Sequence, residues 1–395
     1  MLMGTVLFII ETLIFIPFLV WIMYFFVFSV GYRIPKKLFF ERSNIQHRFL
    51  IIFPAYKEDA VIVDSIRSFL KQNYPKDLFE IIVVSDSMTR DTNQELEDLG
   101  VRILIPTYEK RSKAAALNLT MNVIKEEDFD GVVILDADNL VSPNYLALVN
   151  DCFASGAVAI QTHRIAKNSN TDTAYLDGIS EEINNSIFRQ GHVNLGLPAA
   201  LTGSGMLFEI KWFKNTMAKI SSMGEDKELE YYLLLDKIFT VYLEDVYVLD
   251  EKVQNRRDMS NQRKRWIAAQ IDTFLNTLKR FRTIIRTRNW PMLDKLIQWS
   301  IPPRIILLGM VPILGCIVYL VAPVLAYKWL ILYGLFILSL ALAIPNKFYT
   351  RRTLLCFLKL PFIFMAILRS FMGIKSGRNT FVHTPHGEKK EDYSN

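Results

Sequence analysis

Apolar residues are concentrated near the two ends of the 395-residue chain. Residues 12–31 are apolar throughout, and residues 305–321 and 324–344 form two further apolar runs. Each run is long enough to cross the roughly 30 Å hydrocarbon core of a membrane. The pattern predicts an N-terminal transmembrane helix, with its outer edge at Glu11, and a C-terminal transmembrane hairpin.

A third apolar run, residues 354–372, contains Lys359, Pro361 and Arg369 and allows two interpretations. A third span would place the C-terminal tail outside the membrane. An amphipathic helix in the interface would keep the tail on the cytoplasmic side. We favour the interfacial helix, because of a tail motif described below.

Basic residues set the predicted orientation. Five Lys or Arg lie between Arg33 and Arg48, opposed only by Glu41. Since cytoplasmic flanks of membrane helices carry excess Lys and Arg, we expect the following domain in the cytoplasm and the chain in the inner or plasma membrane. Eleven more Lys or Arg lie between Lys252 and Arg288. They predict a basic surface against anionic lipids rather than a nucleic-acid site, because no recognition module accompanies them.

Between the apolar ends, short apolar runs alternate with segments of helical periodicity. The predicted strands are residues 49–53, 80–84, 101–105, 132–135 and 157–161. The predicted helices are residues 60–71, 91–99, 112–124 and 143–153. This α/β alternation predicts a mostly parallel sheet covered by helices. Ligands of such sheets bind beyond the carboxyl ends of the strands.

An Asp-x-Asp motif follows one predicted strand, with Asp136 and Asp138 two residues apart. Both lie just past the strand end, and because side chains alternate along a strand, residues two apart point the same way and present their carboxylates together. Paired carboxylates suit Mg²⁺ or Mn²⁺ shared with a substrate phosphate. A turn rich in Asp and Asn, ending at Asn139, is the alternative.

Two further candidates stand at element ends. Asp86 ends a predicted strand and could bind a base or ribose, or could cap the next helix. Lys113 begins a predicted helix, where its charge opposes the helix dipole. That position suits a lysine that faces a phosphate, and a solvated lysine is the alternative.

Later motifs add three candidates. Residues 202–205, Thr-Gly-Ser-Gly, form a flexible turn that a substrate could approach closely. Asp226 is a candidate general base near a helix predicted to begin at Lys227, or a plain helix cap. Gln262, Arg265 and Trp266 share one helical face, which suits a diphosphate and a sugar ring, or a lipid interface.

The order of these motifs resembles that of family 2 glycosyltransferases with the GT-A fold, a Rossmann-like α/β architecture. In particular it resembles the membrane-integrated branch that includes cellulose, chitin and hyaluronan synthases. The resemblance covers about residues 48–290, the membrane segments and the tail. It implies nucleotide contacts at Pro54, Ala55, Tyr56, Glu58, Asp86, Lys113 and Asp136, a metal ligand at Asp138 and a catalytic base at Asp226.

The same resemblance implies two further motifs. Gln262, Arg265 and Trp266 match the Gln-x-x-Arg-Trp motif of the family. The tail around Thr384 resembles its Phe-x-Val-Thr-x-Lys-Gly gating loop, and departs from it at His383 and His386. An inverting, metal-dependent transfer from a UDP-sugar, with Mg²⁺ or Mn²⁺, is implied.

Two acceptors remain compatible with the sequence: a growing polysaccharide and a membrane lipid. The Gln-x-x-Arg-Trp motif and the tail favour the polysaccharide, whereas the small number of spans favours the lipid. The expected partners are a nucleotide-sugar donor, one of these acceptors and membrane lipids, with an accessory pore protein left open. An ATP-driven transporter is disfavoured, since the chain has no Gly-x-x-x-x-Gly-Lys-Ser/Thr loop.

The predicted organisation has five parts. They are a transmembrane helix (1–31), a cytoplasmic GT-A domain (32–250), basic interfacial helices (251–300), a hairpin with a third span or interfacial helix (301–373), and a cytoplasmic tail (374–395). The three cysteines have no spacing typical of disulfide frameworks or zinc sites.

Overall fold

The computed structural model describes residues 2–36, 38–108, 111–220, 224–252 and 256–358, without the side chains of residues 2–4 and 256–265. These residues divide into two compact units. The sheet unit contains Leu38–Glu181 and Pro198–Thr273. The helical unit contains the N-terminal helix, Glu182–Leu197 and the described residues from Phe274 to Leu358.

The sheet unit contains eight strands. They are β1 (Phe49–Tyr56), β2 (Phe79–Asp86), β3 (Arg102–Leu104), β4 (Gly131–Ile134), β5 (Leu140–Val141), β6 (Ala159–Ala166), β7 (Met206–Glu209) and β8 (Thr240–Asp250). Their order across the sheet is β3-β2-β1-β4-β7-β6-β8-β5. The first four strands in that order are parallel, as predicted. The sheet as a whole is mixed, because β7 runs antiparallel to both its neighbours and β5 antiparallel to β8.

Helices cover both faces of this sheet. Those in or entering the sheet unit are α2 (Ile62–Phe69), α3 (Arg90–Asp98), α4 (Lys113–Val123), α5 (Tyr145–Ala154), α6 (Asp172–Asn185), α8 (Ile210–Met217) and α9 (Glu225–Leu235). Strand β1 is apolar along most of its length and supplies alternate residues to two cores. Ile51 and Phe53 join one core with α2 and α5, whereas Leu50 and Ile52 join the other with α4 and α8. The alternation follows from strand geometry.

The helical unit contains most of the remaining helices. They are α1 (Leu2–Arg33), a π-helix (Ser186–Gly191), α7 (His192–Asn194), α11 (Phe281–Arg286), α12 (Trp290–Ser300), α13 (Arg304–Val321), α14 (Pro323–Ala343) and α15 (Arg351–Phe357). Helix α10 (Arg256–Leu278) crosses from the sheet unit into this one. In the part of the chain that the structure describes, three helices are long and apolar enough to cross a membrane. They are Thr5–Arg33 and helices α13 and α14.

Glu11 does not mark the end of the first helix, which continues to Leu2. Its carboxylate forms an ion pair with Lys328 of α14 and accepts a 2.7 Å hydrogen bond from Trp329 Nε1. These partners lower the cost of an ionised group in an apolar helix. Most of residues 354–372 lie outside the described residues, so the choice between a third span and an interfacial helix stays a prediction.

Candidate active site

The carboxyl ends of β1, β2 and β4 lie on one edge of the sheet. The parallel pairing of β1 with β2 runs as far as Tyr56 opposite Asp86. The pairing of β1 with β4 runs as far as Ile52 opposite Ile134, two residues before Asp136. The structure therefore places the motifs that follow these strands on a common edge.

Asp86 lies at the end of β2 and is 6% exposed. Arg111 Nε lies 3.2 Å from its Oδ1, and the Tyr108 hydroxyl donates to its Oδ2 at 3.4 Å. Burial, and then the charge of Asp86, raise the pKa of Tyr108 to about 12. Asp86 is not the cap of α3, because Thr89 caps that helix. The carboxylate belongs instead to a small polar cluster at the strand end.

The aromatic ring beside this cluster belongs to Tyr56, the last residue of β1. The Arg111 guanidinium lies 5.4 Å from the centroid of that ring. Lys57, the next residue, has a φ of 56° and donates its backbone N–H to the carbonyl of Asp86 at 3.0 Å. The predicted nucleotide-contact residues Pro54, Ala55 and Tyr56 are thus all part of β1, and Glu58 follows in the turn.

Lys113 is the first residue of α4, and Ser112 caps that helix. Its Nζ forms an ion pair with Asp136 Oδ1 and donates to the carbonyl of Gly203 at 2.7 Å. Burial lowers the pKa of Lys113, but the nearby carboxylates of Asp136 and Glu225 outweigh it, and the net pKa is raised. Lys113 is therefore charged and internally paired, and it is not a solvated lysine.

The Asp-x-Asp motif lies in a turn, which corrects the strand-based expectation. The N–H of Asn139 donates to the carbonyl of Asp136 at 3.0 Å, so the chain reverses after β4 and the alternation of strand side chains does not apply. Asp136 pairs with Lys113. The oxygens of Asp138, which is 2% exposed, accept from Asn139 Nδ2 at 3.2 Å and from the N–H of Glu251 at 2.6 Å.

The glycine-containing turn at residues 202–205 lies beside this motif. Gly203 and Gly205 have φ values of +85° and +63°, and a Cβ on Gly205 would lie 2.5 Å from Thr162 Oγ1. The side chain of Gln161 braces the turn by donating to the carbonyl of Ser204 at 2.9 Å. The turn thus needs glycine for its backbone conformation and for space.

Helix α9 begins at Glu225, two residues earlier than predicted. The Asp226 carboxylate lies in its first turn, accepts from the N–H of Lys227 at 2.9 Å, and lies 3.2 Å from Lys227 Nζ. Glu225 is 7% exposed. Burial raises its pKa to about 7, with contributions from Asp226 and Asp136 that raise it and one from Lys113 that lowers it.

The roles predicted for Gln262, Arg265, Trp266 and Thr384 stay predictions. The side chains of Gln262 and Arg265 lie outside the described residues, although the backbone there forms α10. Trp266 lies in the same helix and is 51% exposed. Thr384 lies outside the described residues, as does the rest of the tail motif.

Sequence analysis missed a group of buried polar residues next to the Asp-x-Asp turn. The group comprises Arg164, Glu181, Asp250 and Lys252, together with Asn139, which was considered only as part of a turn, and each is less than one tenth exposed. Asp250 ends β8 and so follows the strand-end pattern that identified Asp86 and Asp136. A search for strands continued beyond residue 161 could have found it.

The oxygen ligands at this edge fit a divalent cation that is shared with a substrate. Among the described residues, no group of three or more His, Cys, Asp or Glu side chains could hold a metal ion by itself. Mg²⁺ sites commonly use one or two carboxylates and complete the shell with substrate phosphates and water. Asp136 and Asp138 supply two such carboxylates within one turn.

Comparison with known proteins identifies the family. The sequence profile described as glycosyltransferase-like family 2 matches residues 47–269, which is more than half of the chain and includes every strand. The chain belongs to this family. It is therefore a glycosyltransferase, and its mixed sheet with covering helices is a GT-A fold.

Individual relatives are more distant. The chain is 26% identical over 100 residues to poly(ribitol-phosphate) β-N-acetylglucosaminyltransferase TarS of Staphylococcus aureus, covering 25% of this chain and 18% of TarS. It is 28% identical over 131 residues to the poly-β-1,6-N-acetyl-D-glucosamine synthase of the same organism, covering 32% of this chain and 30% of the synthase. The matches thus span less than a third of either relative.

One solved structure resembles a larger share of this glycosyltransferase than the two relatives do. The mannosyltransferase PcManGT of Pyrobaculum calidifontis, solved in complex with GDP-mannose and Mn²⁺, superposes with a TM-score of 0.50. The superposition covers 82% of this chain and 93% of PcManGT. At 16% sequence identity, this likeness concerns the fold.

Proposed function

We propose that this glycosyltransferase is an inverting, divalent-metal-dependent enzyme that transfers a sugar from a UDP-sugar at a membrane. The main support is the Lys113–Asp136 ion pair beside the Gly203 carbonyl. It brings a cation and a carboxylate from two successive elements of the chain to the edge where α/β sheets bind ligands. Glu225 lies within electrostatic range of both charges.

The nucleotide would bind along the ends of β1 and β2. The Tyr56 ring offers a flat surface for a base, and Asp86 offers acceptors for a ring N–H or a ribose hydroxyl. Arg111 and Lys113, two residues apart, pair with Asp86 and Asp136. One short segment thus presents two cations, which suits a diphosphate.

A divalent cation would be held by Asp138 with Asp136 and by the diphosphate of the donor, as the resemblance to GT-A enzymes implies. When bound, such an ion supplies Lewis-acid stabilisation of the charge on the leaving nucleoside diphosphate. The PcManGT structure, which contains Mn²⁺, makes manganese the first ion to test. Lys113 is positioned to add positive charge at the same place.

Asp226 is the proposed base. In an inverting, single displacement, a carboxylate must take the proton of the acceptor hydroxyl as that oxygen attacks the anomeric carbon. Asp226 lies in the first turn of α9, on the same edge of the sheet unit as Lys113 and Glu225 in the first turn of that helix. Its side chain is 23% exposed, so an acceptor could reach it. Gln262, Arg265, Trp266 and Thr384 are proposed acceptor and donor contacts on the family resemblance alone.

The proposed acceptor is a growing polysaccharide, since the Gln-x-x-Arg-Trp motif is present and one relative is a polysaccharide synthase. The three membrane-length helices found among the described residues favour the second candidate, a membrane lipid that receives one sugar. The proposed location is an inner or plasma membrane with the catalytic domain in the cytoplasm, and the basic residues that follow α1 support this orientation.

The test is a donor screen on purified full-length protein. UDP-glucose, UDP-galactose, UDP-GlcNAc and UDP-glucuronate are each incubated with Mn²⁺ or Mg²⁺ and with membrane lipid, and both UDP release and product mass are measured. We expect metal-dependent UDP release with one donor. A ladder of masses supports the polysaccharide and a single-sugar lipid adduct supports the alternative. The proposal would be contradicted if none of the four donors gave UDP release, or if a metal chelator left the release unchanged.

A further inference from the structure

The side chain of Asn139 links four residues around the Asp-x-Asp turn. Its Oδ1 accepts from the N–H of Asp136 at 3.0 Å and from the Ser204 hydroxyl. Its Nδ2 donates to Asp138 Oδ1 and to Asp250 Oδ1, both at 3.2 Å. Since a carboxamide has two N–H donors and one oxygen with two lone pairs, these contacts use its full hydrogen-bonding capacity.

Asp250 belongs to a buried ionic cluster, which we define as Arg164, Glu181, Asp250 and Lys252. Lys252 Nζ lies 2.8 Å from Asp250, and Arg164 lies 3.8 Å from Asp250 and 3.0 Å from Glu181. Burial raises the pKa of Asp250, but Lys252 and Arg164 outweigh it and the net pKa is lowered. Asp250 is therefore a fixed, ionised acceptor for Asn139.

The same segment holds the other oxygen of Asp138. The N–H of Glu251, between Asp250 and Lys252, donates to Asp138 Oδ2 at 2.6 Å. Asp138 is thus held at one oxygen by Asn139 and at the other by the chain that carries the ionic cluster.

An ordinary Asn in a turn needs fewer contacts. An asparagine that bonds only the backbone of its turn needs its side-chain oxygen and one backbone N–H, here that of Asp136, three residues earlier. The two Nδ2 contacts add nothing to that backbone conformation, and both go to carboxylates. They join the Asp138 carboxylate to a rigid charged core.

We propose that Asn139 is a positioning residue that fixes the orientation of the Asp138 carboxylate for a divalent cation, with the buried ionic cluster as its anchor. This inference rests on the proposed function, because it assigns Asp138 to the metal. Its physical basis is that metal-ligating carboxylates are oriented by hydrogen-bonding partners, whose loss typically lowers metal affinity about 10–100-fold.

The test is Asn139→Asp in the full-length protein, with Mn²⁺ binding measured in the presence of UDP by electron paramagnetic resonance of free Mn²⁺. The substitution keeps the volume and the acceptor oxygen, removes both donors, and puts a negative charge beside Asp138 and Asp250. We expect the Mn²⁺ dissociation constant to rise about 10–100-fold. Amide hydrogen exchange in residues 136–139, measured without metal, should become faster.

The matched control is Asn150→Asp. Asn150 is 2% exposed, accepts from the N–H of His47 at 3.0 Å and donates to the carbonyl of Ile45 at 2.8 Å. It lies in α5, and its substitution adds the same buried charge away from the turn. Mn²⁺ binding should stay at the wild-type value, so any general effect of a buried charge on stability can be subtracted.

A second variant covers the case in which Asn139→Asp does not fold. Ser204→Ala removes one donor to Asn139 and should weaken Mn²⁺ binding in the same direction by a smaller factor. If the variant that folds shifts Mn²⁺ binding no more than Asn150→Asp does, the positioning role is overturned while the glycosyltransferase proposal stands. If the wild-type protein binds no Mn²⁺ with UDP, both are overturned.

Discussion

Lys113 at the start of α4 forms an ion pair with Asp136 in the turn after β4. The two residues are 23 positions apart in the chain. The ion pair holds the start of α4 next to the turn after β4. Lys113 Nζ also donates to the carbonyl of Gly203 at 2.7 Å, which joins the turn at residues 202–205 to the pair. A cation held in this way is preorganised to interact with negative charge that develops on a leaving diphosphate.

Replacing Lys113 should therefore impair catalysis. We expect Lys113→Ala to lower the rate of UDP release about 10²–10³-fold, the usual effect of removing one preorganised electrostatic contact. The control is Lys125→Ala, which changes an exposed lysine beyond the end of the same helix. A Lys113→Ala enzyme as active as this control would contradict a role for Lys113 in charge stabilisation.

Glu225 should give folding a measurable pH dependence. Its folded-state pKa of about 7 lies above the ordinary value of 4.5, so the folded protein binds more protons than the unfolded chain between these values. The free energy of unfolding should fall as the pH rises through this range. Thermal unfolding of Glu225→Gln should lack that part of the slope.

The control for this prediction is Glu97→Gln, which changes an exposed carboxylate on α3. It should keep the wild-type slope. If Glu225→Gln keeps the slope as well, the raised pKa of Glu225 is contradicted.

Removing one member of the buried ionic cluster should lower the free energy of unfolding. Lys252→Met leaves Asp250 and Glu181 with Arg164 as their remaining cation in the cluster, and a buried charge that loses its partner typically costs about 3–5 kcal/mol. Chemical denaturation in detergent should show this loss in the free energy of unfolding. Lys71→Met, at an exposed position, should change it by less than about 0.5 kcal/mol. Equal stability of the two variants would count against an ionised cluster.

A close backbone approach in the helical unit predicts another sensitive position. A Cβ on Gly191, in the π-helix, would lie 2.3 Å from the carbonyl oxygen of Phe28 in α1. Gly191→Ala should therefore destabilise the protein by about 1–3 kcal/mol, the usual cost of overpacking. Gly334→Ala in α14 is the control, since a Cβ there has nothing within 4 Å. Similar melting temperatures for the two variants would show that α1 and the π-helix can separate without cost.

The sequence predicted the parallel half of the sheet well because its strands are short, mostly apolar runs, each bounded by turn residues. Strand β1 was predicted as residues 49–53 and extends to Tyr56, since backbone pairing with β2 continues through Pro54. The antiparallel strand β7 was not predicted. It is only four residues long, Met206–Glu209, and its place in the sheet depends on pairing with β4 and β6, which are distant in the chain.

The sequence predicted several individual residues of the candidate site but not the contacts between their side chains. Strand-end position alone identified Asp86 and Asp136, because parallel strands end on a common edge. The chain reversal at Asn139 was weighed only as an alternative, since an Asp-Ala-Asp-Asn sequence fits both a strand end and a turn. The role of Asp250 depends on Lys252 and Arg164, and residue spacing does not reveal contacts between side chains from different strands.

The most direct test of the account compares Asp226→Asn with the wild type in metal-dependent UDP release from the preferred UDP-sugar. Asp128→Asn, at an exposed position, serves as the matched control. We predict a loss of about 10²–10⁴-fold for Asp226→Asn, the range for a general base, with UDP binding retained. Undiminished UDP release by Asp226→Asn would contradict the proposed chemistry.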